Sequence, residues 1–356
     1  MGAKLDDLAF YPAFDPDGML GTIRDLPQQV RNAWKIAQAA PLPDTYRDVR
    51  RVVITGMGGS AIGADLLIGL LAHGGRVPVE LVRGYELPTS VAGADTLVVA
   101  SSYSGNTEET LSAFAEAQER GTRLLAITGG GKLAAMAEAA GAPVWRFSYK
   151  STPRAAVGYS FALLLGLICR LGIYADAAET LELAAQALEH LQVGLLPESP
   201  TEKNLAKQMA EALEGKLPVI FGAGFLAPVA RRWKGQFNEN SKEWASWDEM
   251  PELNHNAVVG LGLPGALVPQ LGVFFLRSPL DHSRVQMRWD VTGELLAQNK
   301  VALYPMYGEG ESALAQMLTL IHVGDFISYY VAALNQVDPS PVDNITYLKK
   351  QLERTA

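Results

Sequence analysis

The stretch "VVITGMGGSAIGADLL", residues 52–67, runs from apolar residues through a cluster of glycines around one serine and back into apolar residues. Glycine weakens helix and strand interiors, so such a cluster marks a place where the backbone turns tightly or another group approaches closely. The pattern predicts a strand, a turn and a helix, with a nucleotide or a phosphorylated small molecule as the natural occupant of the turn.

Alternation continues on both sides. "RVVITG" reads as a strand and "SAIGADLLIGLLAHG" as a helix; "VPVELVRG" and "DTLVVASS" read as strands. The helix "NTEETLSAFAEAQERG", the strand "RLLAIT", the helix "KLAAMAEAAG" and the strand "PVWRFS" follow. Strands alternating with helices predict an α/β fold with a mostly parallel sheet flanked by helices. "AAVGYSFALLLGLICRLGIY" reads as a buried helix, and "GTIRDLPQQVRNAWKIAQ" has helical apolar spacing.

A second series opens at "KLPVIFGAGFLAPVARRWKGQFNENSKEWA", residues 216–245. Gly222 and Gly224 follow Ile220 as Gly56 and Gly58 follow Ile54. The chain therefore reads as two related halves. The expected division is a helical extension over 1–44, a first α/β domain over 45–175 and a helical linker over 176–212. A second α/β domain over 213–335 and a C-terminal helix over 336–356 complete it. Leu226 stands where the first half has Ser60, so the hydroxyl-bearing loop, and with it the ligand, is expected in the first half.

The 356 residues, 48% of them hydrophobic, are enough for two full cores. A net charge of −8 argues against nucleic acid or an anionic membrane surface as partner. The longest apolar stretch, "VVGLGLPGALVPQLGVFFL" over 258–276, is broken by prolines and glycines, and reads as strand, turn, strand rather than a membrane helix. "MGAKLDDLAF" lacks the apolar core of a signal peptide, which points to the cytoplasm. Cys169 is the only cysteine and is expected as a small buried apolar residue. No metal-ligand spacing occurs, and no metal or cofactor is called for.

"GMGGSA" also matches a dinucleotide fingerprint, which needs an acidic residue about 20 positions on, at the end of the next strand. Glu80 is available but lies within its strand. "SSYSGNTEET", residues 101–110, argues harder against a dinucleotide. It follows a strand, opens a helix and supplies Ser101, Ser102, Ser104 and Thr107. One hydroxyl suffices for a helix cap; several beside free amides suit a phosphate.

"GMGGSAIG" and "SYSGNTEET" resemble the sugar isomerase (SIS) domain. "STPR", "QFNENSKEWA", "PELNHN" and "PVDNITYLKK" resemble, in order, the bifunctional phosphoglucose/phosphomannose isomerases. Ala64 departs from the family, which often continues "IGG". The resemblance implies two SIS-type halves and reversible conversion of glucose 6-phosphate and mannose 6-phosphate to fructose 6-phosphate. It implies a metal-free cis-enediol route with Glu239 as base and Arg154 stabilising the enediolate. His255, reaching in from a second subunit of a homodimer, and Lys349 would assist ring opening. Gly58, Gly59, Ser60, Ser102, Ser104 and Thr107 would hold the phosphate. From the residues alone, Lys349 and Lys350 are indistinguishable, and His255 is set apart from His73, His190, His282 and His322 only by its polar loop. A non-catalytic phosphosugar sensor and an isomerase of another phosphosugar remain as alternatives.

Overall fold

The computed structural model describes residues 5–72, 74–352 and 354. His73, the first four residues of the expected extension 1–44, and residues 353, 355 and 356 of the expected C-terminal helix lie outside them. The chain opens with α1 (Tyr11–Phe14), α2 (Met19–Arg24) and α3 (Leu26–Ala39). The first half continues through β1 (Arg51–Thr55), α4 (Gly58–Leu71), β2 (Val79–Val82), β3 (Thr96–Ser102), α5 (Glu108–Glu119), β4 (Arg123–Thr128), α6 (Gly131–Ala139) and β5 (Val144–Arg146). Three helices follow: α7 (Val157–Arg170), α8 (Ala178–Gln192) and α9 (Leu205–Ala212). The second half is β6 (Leu217–Ala223), α10 (Ala227–Glu239), β7 (Ser246–Met250), β8 (Leu271–Arg277), α11 (Ser283–Gln298), β9 (Ala302–Tyr307), α12 (Ala313–Asn335) and α13 (Asp343–Leu352).

Every strand pairing is parallel. The first sheet has the order β2-β1-β3-β4-β5 and the second β7-β6-β8-β9. The two-half α/β reading is therefore the observed architecture. The repeat extends to the backbone: Gly58 and Gly224 take the same left-handed conformation, φ +50° and +49°, which L side chains rarely adopt. Each therefore turns the chain from its strand into the following helical turn.

Strand alternation decides what each sheet face covers. Val52, Ile54, Leu97 and Val99 face a shared core with Ile220, Phe274 and Leu276 of the second sheet. Between the two sheets lies a layer of helices that includes α3, α4, α7, α10 and α12. The opposite face of the first sheet, through Val53, Val98 and Ala100, packs on Phe114 of α5 and Leu133 of α6. Phe221 and Phe275 of the second sheet pack on Trp289 of α11. Residues 176–212 contain α8 and α9, both of which pack against α12.

Two sequence expectations need correction. Residues 258–276 form one strand, β8, preceded by 3₁₀ turns at Ala257–Gly260 and Val268–Gln270. Pro264 and Pro269 remove amide donors from the stretch expected to pair. Cys169 is half-buried rather than buried, with its thiol directed at the Ala175 carbonyl. Glu80 lies within β2, as the sequence reading has it, and pairs with Arg51 at 2.7 Å.

The helix α12 is long and apolar enough to cross a membrane, yet it is buried inside the fold. It carries His322, fully buried with neither ring nitrogen hydrogen-bonded. Burial pushes the imidazole down from 6.5 to about 3. The unfolded chain therefore takes up a proton below pH 6.5 that the folded chain refuses until about pH 3, so stability falls as pH drops through that window. Between pH 7 and pH 4.5 the wild type should lose about 2–3 kcal/mol more than His322→Leu, measured by urea unfolding at both pH values.

Candidate active site

Glu239 is the last residue of α10. Glu239 and the two asparagines that flank it point apart, as helical geometry requires. Asn238 donates to the Glu243 carbonyl at 2.7 Å, and Asn240 is fully buried. Glu239 is left a third exposed. Beyond the helix, Lys242 takes the left-handed conformation (φ 59). Its ammonium donates to the carbonyls of Glu239 and Pro339.

Arg154 comes from the first half, on a 3₁₀ turn over Pro153–Ala156. That turn lies directly on α4. A Cβ at Gly59 would stand 2.5 Å from the Pro153 carbonyl oxygen and 2.9 Å from the Arg154 nitrogen, so only glycine lets the two backbones meet. The guanidinium is 4% exposed. Its Nε donates to Asn240 Oδ1 at 2.7 Å, and its Nη2 to the carbonyls of Pro339 and Ser340 at 2.6 and 3.1 Å. Its Nη1 faces Glu239 Oε2 at 3.4 Å. Burial holds this guanidinium below its ordinary range, opposed by the Glu239 charge.

Two cavities meet at Glu239. One, of about 300 Å³, runs past Arg154, Lys234 and Trp247 to Gly58 and Gly59. The other, of about 590 Å³, is lined by Asn238, Lys242, Asp338, Asp343 and Asn344. A carboxylate open to a cleft beside a fixed positive charge can exchange a proton with a substrate whose oxygen becomes negative.

The hydroxyl loops sit at the ends of neighbouring strands β1 and β3. Ser60 Oγ accepts from the Tyr103 amide at 3.2 Å, which joins the two loops. Ser102 Oγ lies 2.9 Å from Thr107 Oγ1 and accepts from the Gly105 amide, while Ser104 is exposed. Thr107 precedes α5, but no side chain caps that helix. These hydroxyls line neither cavity at Glu239. His255 and Lys349 are also apart from both cavities. Each is exposed, His255 on the 3₁₀ turn after β7 and Lys349 on α13.

Sequence reasoning missed the support behind Arg154. Arg232 of α10 donates to the Arg154 carbonyl at 3.2 Å and grips both oxygens of Asp325 at 3.0 and 2.7 Å. Asp325 is the one carboxylate within the apolar helix α12, a signal visible in the sequence.

Two parallel α/β halves, the first of them with glycine-serine loops at its strand ends, place the protein in the sugar isomerase domain class. The SIS domain description matches residues 45–140, and the bacterial phospho-glucose isomerase C-terminal SIS domain matches residues 202–352. A bifunctional phosphoglucose/phosphomannose isomerase of Caldicellulosiruptor bescii is 42% identical over 94% of this chain and 98% of its own length. That of Aquifex aeolicus is 37% identical over 86% and 91%. The C-terminal domain of glucosamine-fructose-6-phosphate aminotransferase from Francisella tularensis shares the fold. It superposes with a TM-score of 0.70 at 14% identity, covering 92% of this chain and 99% of that one. The chain belongs to the bifunctional phosphoglucose/phosphomannose isomerase family, and it is an isomerase.

Gly59→Ala should force the Pro153–Arg154 turn off α4 and cost about 1–3 kcal/mol. Gly21→Ala, where a Cβ meets nothing within 4 Å, is the control and should cost nothing. Denaturation midpoints of the two variants check this.

Proposed function

We propose that the protein interconverts glucose 6-phosphate, mannose 6-phosphate and fructose 6-phosphate by a metal-free proton transfer through a cis-enediol. The observation that carries this is the Glu239 carboxylate, 3.4 Å from a buried guanidinium in a cleft that reaches the Gly58–Gly59 turn. Glu239 takes the proton from C2 and returns it to C1, or the reverse. The Arg154 charge stabilises the enediolate oxygen as it forms. Glucose and mannose 6-phosphates differ only at C2 and share this intermediate with fructose 6-phosphate, so one base serves both.

Gly58, Gly59, Ser60, Ser102, Ser104 and Thr107 hold the phosphate in this reading. The support is that no side chain caps α4 or α5, leaving their first amides to a ligand near four hydroxyls. A grip on the remote phosphate contributes to rate as well as to binding. The division 45–175 and 213–335 makes the first half the phosphate binder and the second the source of the base, with 336–356 completing the cleft.

His255 and Lys349 assist ring opening, His255 from the partner of a homodimer. Exposed apolar residues near both support a second copy: Val259 and Leu263 after His255, and Ile345, Tyr347 and Leu348 on α13. The location in this reading is the cytoplasm; the apolar length of α12 is used by the core.

Glu239→Gln should keep its rise in melting temperature with fructose 6-phosphate. In a coupled assay with EDTA present, it should lose about 10²–10⁴-fold in kcat on both hexose 6-phosphates. Near-normal turnover removes Glu239 as the base. Mixing the inactive Glu239→Gln and His255→Ala variants after reversible dissociation should restore about a quarter of wild-type activity, because each hybrid dimer holds one intact shared site. No recovery means that each site is built within one chain.

A further inference from the structure

We infer that Asn240 and Ser328 are positioning residues that hold the Arg154 guanidinium in a single orientation, with one edge left for the reacting oxygen. This rests on the isomerase reading above and deepens it. A structural ion pair would match the guanidinium to a carboxylate through two parallel hydrogen bonds. Here Glu239, the carboxylate in contact among the described residues, makes one contact of 3.4 Å. The short bonds go to neutral acceptors: Asn240 Oδ1 at 2.7 Å and the Pro339 carbonyl at 2.6 Å. The short bonds to neutral acceptors therefore fix the buried charge in direction, and its Nη1 edge faces Glu239 at the cleft through one longer contact. Preorganised charge of this kind acts on a developing oxyanion without reorganising during the reaction.

The orientation of the Asn240 amide is what makes this possible. Its Nδ2 donates to Ser328 Oγ at 3.0 Å, and Ser328 Oγ donates to the Asp325 carbonyl at 2.9 Å. A flipped amide would set N–H groups against the guanidinium. Ser328 thus assigns the acceptor end to Arg154. The main chain of Arg154 is held from the same part of α12, through Arg232 and Asp325. Asn240 and Ser328 are each fully buried, so no water competes for these bonds.

The test is a double-mutant cycle. Asn240→Ala should lower kcat between about 10- and 100-fold with KM changed less than about twofold. In an Arg154→Lys background the same change should lower kcat less than about twofold, because an ammonium has no Nε–H to hold. Ser328→Ala should show the same pattern with a smaller loss, and it carries the cycle if Asn240→Ala does not fold. Equal losses in both backgrounds, or a loss confined to KM or to melting temperature, overturn the proposal. A readout without substrate separates this from the isomerase reading. In selectively ¹⁵N-labelled protein the Arg154 Nε–H should exchange slowly with solvent and lose protection in Ser328→Ala. Unchanged protection overturns the positioning role, whereas wild-type inactivity on both hexose phosphates overturns only the isomerase reading.

Discussion

The structure turns on one buried cation. Arg154 leaves the first half, lies on the end of α10 in the second half, and holds the backbone of the segment before α13. Three parts of the chain far apart in sequence therefore share one guanidinium. Its burial is costly unless every donor is met. Its acceptors meet that cost while leaving Glu239 partly open. Glu239 and Arg154 are set by a helix terminus and a 3₁₀ turn, each locked into the core by neighbouring residues. Rigid support on this scale is what a site needs to keep charges at fixed distances.

That rigidity comes from the layer between the sheets. Parallel sheets bury both faces, and here the two inner faces share one set of helices. The α4 and α10 pair are equivalent elements of the two halves, each following a strand and a left-handed glycine. They pack against each other, so the turn at Gly58 and the helix that ends at Glu239 border one cavity. The first half keeps hydroxyls at its loops, while the second has Leu226, fully buried, at the equivalent place. The two halves are thus similar frames that differ in the side chains at their turns.

Much of this was legible in the sequence because it depends on local rules. Strand-helix alternation and the two Gly-x-Gly turns led directly to the parallel halves. β7 was not legible: "SWDEM" is polar and lies at a sheet edge, so it lacks the apolar run that marks an inner strand. Nor was the partnership of Arg154 with Asn240, 86 positions away, since no periodicity links them. The Pro339 and Ser340 carbonyls were invisible for a further reason: every residue has a carbonyl, and only the fold selects which ones accept. His255 and Lys349 were singled out by resemblance, and within one chain they stand apart from the Glu239 cavities.

The segment that bridges α12 and α13 is held by Arg154 and Lys242 through its main-chain oxygens. The bonds themselves do not depend on which side chains stand at 339 and 340, but both residues are buried, so the strip accepts only substitutions that fill the same space. Packing rather than hydrogen bonding therefore limits how far this strip can drift while it keeps its hold on the rest of the chain.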